Sequence, residues 1–342
     1  KLSRKTMNNS TSKKLSTAIN LSNSNKIKEA DIIVNDILLS EPNNLDALNI
    51  KGIINSKSQN YNNAINYFEK GLAINPNYIP IIKNIVSVLR ILKQYDKVDL
   101  YLRKLIELEK DSPPLIAEFA NNLILLNQKE EALEVIESHL DKENQFEILI
   151  QAKANCLFEL RKYKESKKIY KELYSINDNN FQALFKLGFL NLENKEYHES
   201  IKFFNEIIEK KEKFENMKNE IGIVFYNLGM CYEGIEELSK AEENYIQALK
   251  YNEIFLDAYV NMSNIYYFQN KLHEALDLMN KAIKINPRKR ILYMNLSNIY
   301  QKFGKHQESV FCKRIAAGSI VFKCKEEYGP FEIDKVQLNE KI

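Results

Sequence analysis

Residues Leu256 to Lys289 read LDAYVNMSNIYYFQNKLHEALDLMNKAIKINPRK. Apolar and small side chains recur at Tyr259, Met262, Ser263 and Tyr266, and again at Leu272, Ala275, Met279 and Ala282. Spacings of three and four place each set on one face of an α-helix. Asn270 marks a turn between the two helices. Pro287, with no N–H and a fixed φ, stops the second. Ser263 and Ala275 are small where the two faces must meet. The stretch therefore reads as two antiparallel amphipathic helices in close approach.

The pattern recurs in phase along the chain. Units of 34 residues begin at Thr11, Leu45, Ile79, Pro113, Glu147 and Phe181, and, after seven extra residues (215–221), at Gly222, Leu256 and Arg290. Their eighth positions hold Ala18, Gly52, Val86, Ala120, Ala154, Gly188, Gly229, Ser263 and Ser297. Their twentieth positions hold Ala30, Ala64, Val98, Ala132, Ser166, Ser200, Ala241, Ala275 and Ser309, and Pro42, Pro76 and Pro287 share position 32. This period and these small residues resemble the tetratricopeptide repeat, a pair of antiparallel helices packed through small side chains. The resemblance spans residues 11–323. It implies an all-α fold, a right-handed α-solenoid of nine helix-turn-helix units in which each unit touches only its neighbours. Val86 and Val98 are both large for their positions, so the third helix pair is expected to be splayed. Lys153 stands where leucine is usual, which predicts a thinner core in the fifth unit.

The flanks differ. Residues 1–10 are polar and basic and read as a disordered arm. Near the other end, Ile320, Phe322 and Cys324 alternate as in a strand, and Gly329-Pro330 signals a turn. The tail, residues 324–342, is expected either to fold back over the ninth unit or to begin a further domain. The insertion 215–221 is about two helical turns long. It is expected to lengthen a helix while keeping its face in phase, with a protruding contact or a hinge as the alternative.

Lysine and arginine number 49 against 46 aspartates and glutamates, a net charge of +3. The two signs nearly cancel, so nucleic acid, whose binders normally show a basic stripe, is not an expected partner. Cys156, Cys231, Cys312 and Cys324 match no zinc or redox spacing, and the first three read as small apolar filler. Unpaired cysteines suit a reducing compartment, so a cytoplasmic location is expected. No run of about 18 apolar residues is present, so no membrane span is expected, and the N-terminus lacks the apolar core of a secretory leader. Oligomeric state is left open.

No catalytic, cofactor or metal constellation emerges. His198-Glu199 and His273-Glu274 each lack the second histidine of a zinc-protease helix, and the acidic residues suit a helix N-terminus. Gly229 and Gly234 are spaced like the start of a phosphate loop, but Ile235 and Glu236 replace the required Lys and Ser/Thr. They read instead as a helix crossing and a turn. The chain is not expected to be an enzyme.

In the resembled family the first helix of each unit lines a groove, with positions 2, 5, 6, 9, 12 and 13 tending to face it. Carried over by register, position 6 holds Asn84, Asn227, Asn261 and Asn295, and position 9 holds Asn121, Asn155, Asn264 and Asn298. Each amide offers both a donor and an acceptor, so a row of them can pair with an extended backbone of any sequence. YNLG, VNMS and MNLS in units seven to nine resemble the asparagine ladder of the O-linked N-acetylglucosamine transferase superhelix. Beside them lie Phe158, Phe185, Phe189, Tyr226, Met230, Tyr267 and Phe268, an apolar set of the kind that marks contact surfaces. The Lys, Asn and Arg set by which some relatives grip a C-terminal carboxylate is not reproduced, since Lys83 is followed by Ser87 and Glu118. The expected function is a non-catalytic scaffold binding a protein or an extended peptide in the groove. The alternative is the substrate-docking arm of a larger glycosyl- or sulfotransferase.

Overall fold

The computed structural model describes the backbone of residues 2–110, 112–140 and 146–318, and side chains from residue 10 onward. The described residues form eighteen α-helices and no strand. The chain divides into two compact units, one ending at Ile169 and the other beginning at Tyr170. The first contains α1 (Leu2–Asn23), α2 (Ile27–Ser40), α3 (Leu45–Lys57), α4 (Tyr61–Ile74), α5 (Ile79–Ile91), α6 (Tyr95–Leu108), α7 (Pro113–Leu125), α8 (Lys129–Ser138) and α9 (Glu147–Glu159). Helix α10 (Tyr163–Ile176) spans the division. The second contains α11 (Phe181–Glu193), α12 (Tyr197–Glu209), α13 (Lys218–Gly234), α14 (Leu238–Tyr251), α15 (Leu256–Phe268), α16 (Leu272–Ile285), α17 (Arg290–Lys302) and α18 (His306–Ala316). Both are stacks of helix pairs, so the fold is an all-α repeat solenoid.

One backbone device closes every first helix. Position 15 is left-handed in all nine repeats, at Asn25, Gln59, Lys93, Asn127, Arg161, Lys195, Glu236, Asn270 and Gly304. Around it the next N–H reaches back five residues, as in Gln94 to the Leu89 carbonyl, and its own N–H reaches back three, as in Lys93 to Arg90. This Schellman pairing satisfies carbonyls that a helix end leaves open. Asx turns shape several returns to the next unit. The side-chain oxygens of Asn75, Asn177, Asn252 and Asn286 accept from the N–H two residues on.

Positions 8 and 20 are the crossing point. The hydroxyls of Ser263 and Ser297 donate to the carbonyls of Ala275 and Ser309 at 3.0 and 2.9 Å. Those of Ser166 and Ser200 donate in the other direction, to Ala154 and Gly188, at 2.8 and 2.7 Å. Only small side chains bring a side-chain oxygen that near an opposing backbone. The room left at position 8 takes the ring from position 24. A Cβ on Gly52, Gly188 or Gly229 would sit 2.3, 2.6 or 2.5 Å from Phe68, Phe204 or Tyr245. Val86 and Val98 are both buried where the two helices cross. Lys153 leaves the core and meets Glu137 at 2.8 Å.

Several expectations change. Helix α1 begins at Leu2, so residues 2–10 are helical backbone rather than a disordered arm. The insertion does not simply extend a helix by two turns. Its first three residues end a 3-10 segment, Lys211–Met217, and its last four lengthen α13 at its start by about one turn. Just before the insertion Phe214 is buried, its ring 5.1 Å from Phe181, and Lys213 donates to the Asn179 side-chain oxygen at 2.8 Å, whereas residues 215–220 are exposed. Gly234 closes α13 against the Tyr197 ring, and the turn falls on Glu236 instead. The expected strand at 320–324 and the tail 324–342 lie outside the described residues.

Candidate binding site on the first helices

Within each compact unit some neighbouring first helices touch directly: α1 with α3, α3 with α5 and α7 with α9, then α11 with α13 and α15 with α17. Among the described residues neighbouring second helices make no comparable contact. The first helices are therefore the more tightly gathered layer.

A concavity lies between α15 and α17. It encloses about 170 Å3 and is lined by Ser263, Asn264, Tyr267 and Phe268 on one side and Asn295, Asn298 and Ile299 on the other. Ser263 and Ile299 are buried and make the floor. Asn264 and Asn295 are half-buried and Asn298 is exposed, so three amides stand at the rim. Phe268 is 78% exposed, a large cost for an aromatic ring, and its edge meets Tyr267 at 5.5 Å. Lys302 lies 4.4 Å from the centre of the Tyr267 ring and donates to its carbonyl at 2.8 Å. A cation over a ring face holds the ring's orientation.

One repeat earlier the asparagine is committed internally. Asn261 donates its amide to the hydroxyls of Tyr226 and Tyr245, at 3.3 and 3.2 Å. Tyr245 in turn donates to Glu233 at 2.8 Å. Burial, and then the Glu233 carboxylate, push the Tyr245 hydroxyl far above its ordinary range, so it stays protonated. Burial raises Tyr226 as well, followed by Asp257. The Tyr226 ring packs at 4.7 Å from Phe255 and 5.7 Å from Tyr245.

The remaining expected site residues are scattered. Asn227 is 4% exposed, and its Nδ2 has no hydrogen-bond partner. It is a core residue, not an open rung, because α13 carries it inward. Phe185 is half-buried, 6.0 Å from both Phe181 and Phe204. Phe189 and Met230 are half-buried against the same apolar cluster. In the other compact unit Asn84 donates to Asn49 at 2.8 Å, and Arg90 meets Glu118 at 2.6 Å. Asn121 is exposed, Asn155 half-buried, and half-buried Phe158 lies 5.5 Å from Tyr163. The structure thus gathers Asn264, Asn295, Asn298, Tyr267 and Phe268 and disperses the others. Sequence reasoning missed Ser263, Ile299 and Lys302. The small residue at position 8 was the available signal for a cavity beside it.

Among the described residues no three His, Cys, Asp or Glu are placed to hold a metal, and no helix is long and apolar enough to cross a membrane. Sequence models of the tetratricopeptide repeat match residues 45–78, 149–180, 182–210, 224–255 and 256–289. The chain belongs to the tetratricopeptide-repeat family. No curated protein matches it by sequence. Among solved structures it is similar to the APC/C hetero-tetramer Cut9-Hcn1, at 13% identity and a TM-score of 0.56 over 80% of this chain and 52% of that one. It thus spans about half the length of that relative. PilF of Pseudomonas aeruginosa is similar at 16% identity and a TM-score of 0.52, over 60% of this chain and 93% of that one. The human IFIT1 dimer with PPP-AAAA is similar at 17% and 0.51, over 88% and 81%. Identities this low speak to the fold alone.

Proposed function

We propose that the chain is a non-catalytic interaction scaffold that binds an extended peptide or a protein segment at the pocket between α15 and α17. The reading rests on one observation. Three asparagine amides surround a concavity with an apolar floor, and an aromatic ring is left 78% exposed beside it. A cavity of about 150 Å3 accommodates a benzene-sized group, so a pocket of about 170 Å3 suits one leucine or phenylalanine side chain. The amides would pair with the N–H and C=O groups flanking that side chain. Binding in an extended form leaves those groups available. Asn261 and Asn84 serve the architecture in this reading, since their amides already have partners.

The test is selection of a displayed library of random 12-residue peptides on the immobilised chain. Asn264→Ala, Asn295→Ala and Asn298→Ala combined are expected to cut enrichment about tenfold or more, at roughly 1 kcal/mol per lost amide pairing, with the helical circular dichroism unchanged. Equal enrichment on the variant and the parent would remove the pocket as the site.

A further inference from the structure

The chain's charge is unevenly spread. Residues 281–318 hold nine Lys and Arg against one acidic residue, Glu308, although the whole chain is only +3. Antiparallel pairing collects much of this charge on one edge. Lys281 and Lys284 lie near the end of α16, Lys289 and Arg290 at the start of α17, and Lys313 and Arg314 near the end of α18. A Cβ on Gly318 would lie 2.9 Å from the Arg290 guanidinium, so the chain leaves α18 against that side chain. Lys289 is paired with Asp257 at 2.7 Å. Among the described residues no carboxylate is paired with Lys281, Lys284, Arg290 or Arg314, and all four are exposed.

Helix dipoles explain part of this pattern, since cations are favourable in a last turn. They do not explain Arg290, which stands in a first turn, where the dipole opposes it. Nor do they explain the contrast with the preceding turn, where Lys250 is followed by Glu253 and Asp257.

We infer that this edge is a docking surface for an acidic polypeptide segment, and that its occupant is the chain's own stretch 326–334. That stretch, EEYGPFEID, carries Glu326, Glu327, Glu332 and Asp334 and no base. Seven residues separate it from Gly318. Fully extended they span about 25 Å, enough to cross the width of two helices of about 10 Å each. The tether makes the encounter intramolecular, with an effective concentration on the order of millimolar. The contact is electrostatic and surface-exposed, so salt weakens it. An acidic partner of another kind would first have to displace this segment.

Carbodiimide joins carboxylates to lysines only in direct contact. In the full chain it is expected to link 326–334 to Lys281, Lys284 or Lys313. A mixture of heavy- and light-isotope chains should show these links within one chain. Their yield should fall about five-fold or more at about 1 M salt, where the Debye length is about 3 Å. Absent links, links to lysines elsewhere, or salt-insensitive yield would each overturn the assignment. A second measurement uses a labelled peptide of residues 325–335. It should bind the full-length variant E326Q/E327Q/E332Q/D334N about tenfold more tightly than the parent, whose own segment competes. Adding R290E/K313E/R314E should abolish that binding. Equal affinity for parent and neutralised chain would leave the edge to outside acidic partners. Tighter binding of single-stranded DNA than of the peptide would assign it to nucleic acid. Either result ends the proposal.

Discussion

The hydroxyl of Tyr245 accepts a hydrogen bond from the amide of Asn261 at 3.2 Å. In the preceding repeat Phe204 fills the equivalent seat, against Gly188 as Tyr245 is against Gly229. Phe204 has no hydroxyl, and Asn227, in the register of Asn261, has an unpaired and buried Nδ2. Phe204→Tyr is therefore expected to stabilise the fold by about 1 kcal/mol, the usual net worth of a hydrogen bond that ends a buried vacancy. The gain should vanish in an Asn227→Ala background. Urea titration of the two single variants and the double variant measures the coupling. A gain that persists without Asn227 would place its cause elsewhere.

Gly229→Ala tests the crossing itself. Its Cβ would meet the Tyr245 ring at 2.5 Å, and that ring is buried and held by Glu233 and Asn261. Overpacking of this kind costs about 1–3 kcal/mol. Larger side chains should cost more, and Gly229→Leu should lower the urea midpoint further than Gly229→Ala. A Gly229→Ala chain with the parent's midpoint would mean the ring can move aside.

The nine left-handed turns are not equally comfortable. Asparagine tolerates this conformation and glycine is at ease in it, whereas Lys93, Arg161, Lys195 and Glu236 adopt it at φ 56 to 63°. Lys195→Gly is expected to stabilise by about 0.5–1 kcal/mol, the Cβ penalty outweighing the added freedom of the unfolded chain. Asn127→Gly should be nearly neutral, and Gly304→Ala should destabilise. Thermal melts of the three variants rank the effects. The reverse order would contradict the steric account.

Buried thiols set an alkaline limit. Burial pushes Cys156, Cys231 and Cys312 up to about 11. An unfolded thiol ionises near 8.5, so between about pH 8.5 and 11 only the unfolded state loses the proton. Stability from these groups is complete below that window and is lost as pH rises through it. The urea midpoint should fall from pH 8.5 to 10. Replacing all three cysteines by alanine should flatten that fall while lowering the midpoint at neutral pH. An unaltered slope would assign the alkaline loss to other groups.

The fold class was legible because its cause is local. Small residues at positions 8 and 20 and apolar residues three and four apart decide how two adjacent helices pair, and both partners lie within one 34-residue window. The candidate site was less legible. Position 6 reads the same at Asn84, Asn227, Asn261 and Asn295, yet one pairs with Asn49, one is buried without a partner, one is held by two tyrosines, and one faces a cavity. What separates them is the neighbour supplied by an adjacent repeat. The stretch leading into the insertion shows the same limit: the insertion's length was evident, but not that Phe214 just before it would turn inward onto Phe181.

Sequence alone determined that this chain folds as repeated helix pairs, since helix periodicity and the steric demand of a close crossing are written in residues near one another. Only the tertiary structure decided which asparagines are free at the surface and which are already engaged. An amide's availability depends on what stands within about 3 Å of it, and that neighbour comes from a helix a repeat away.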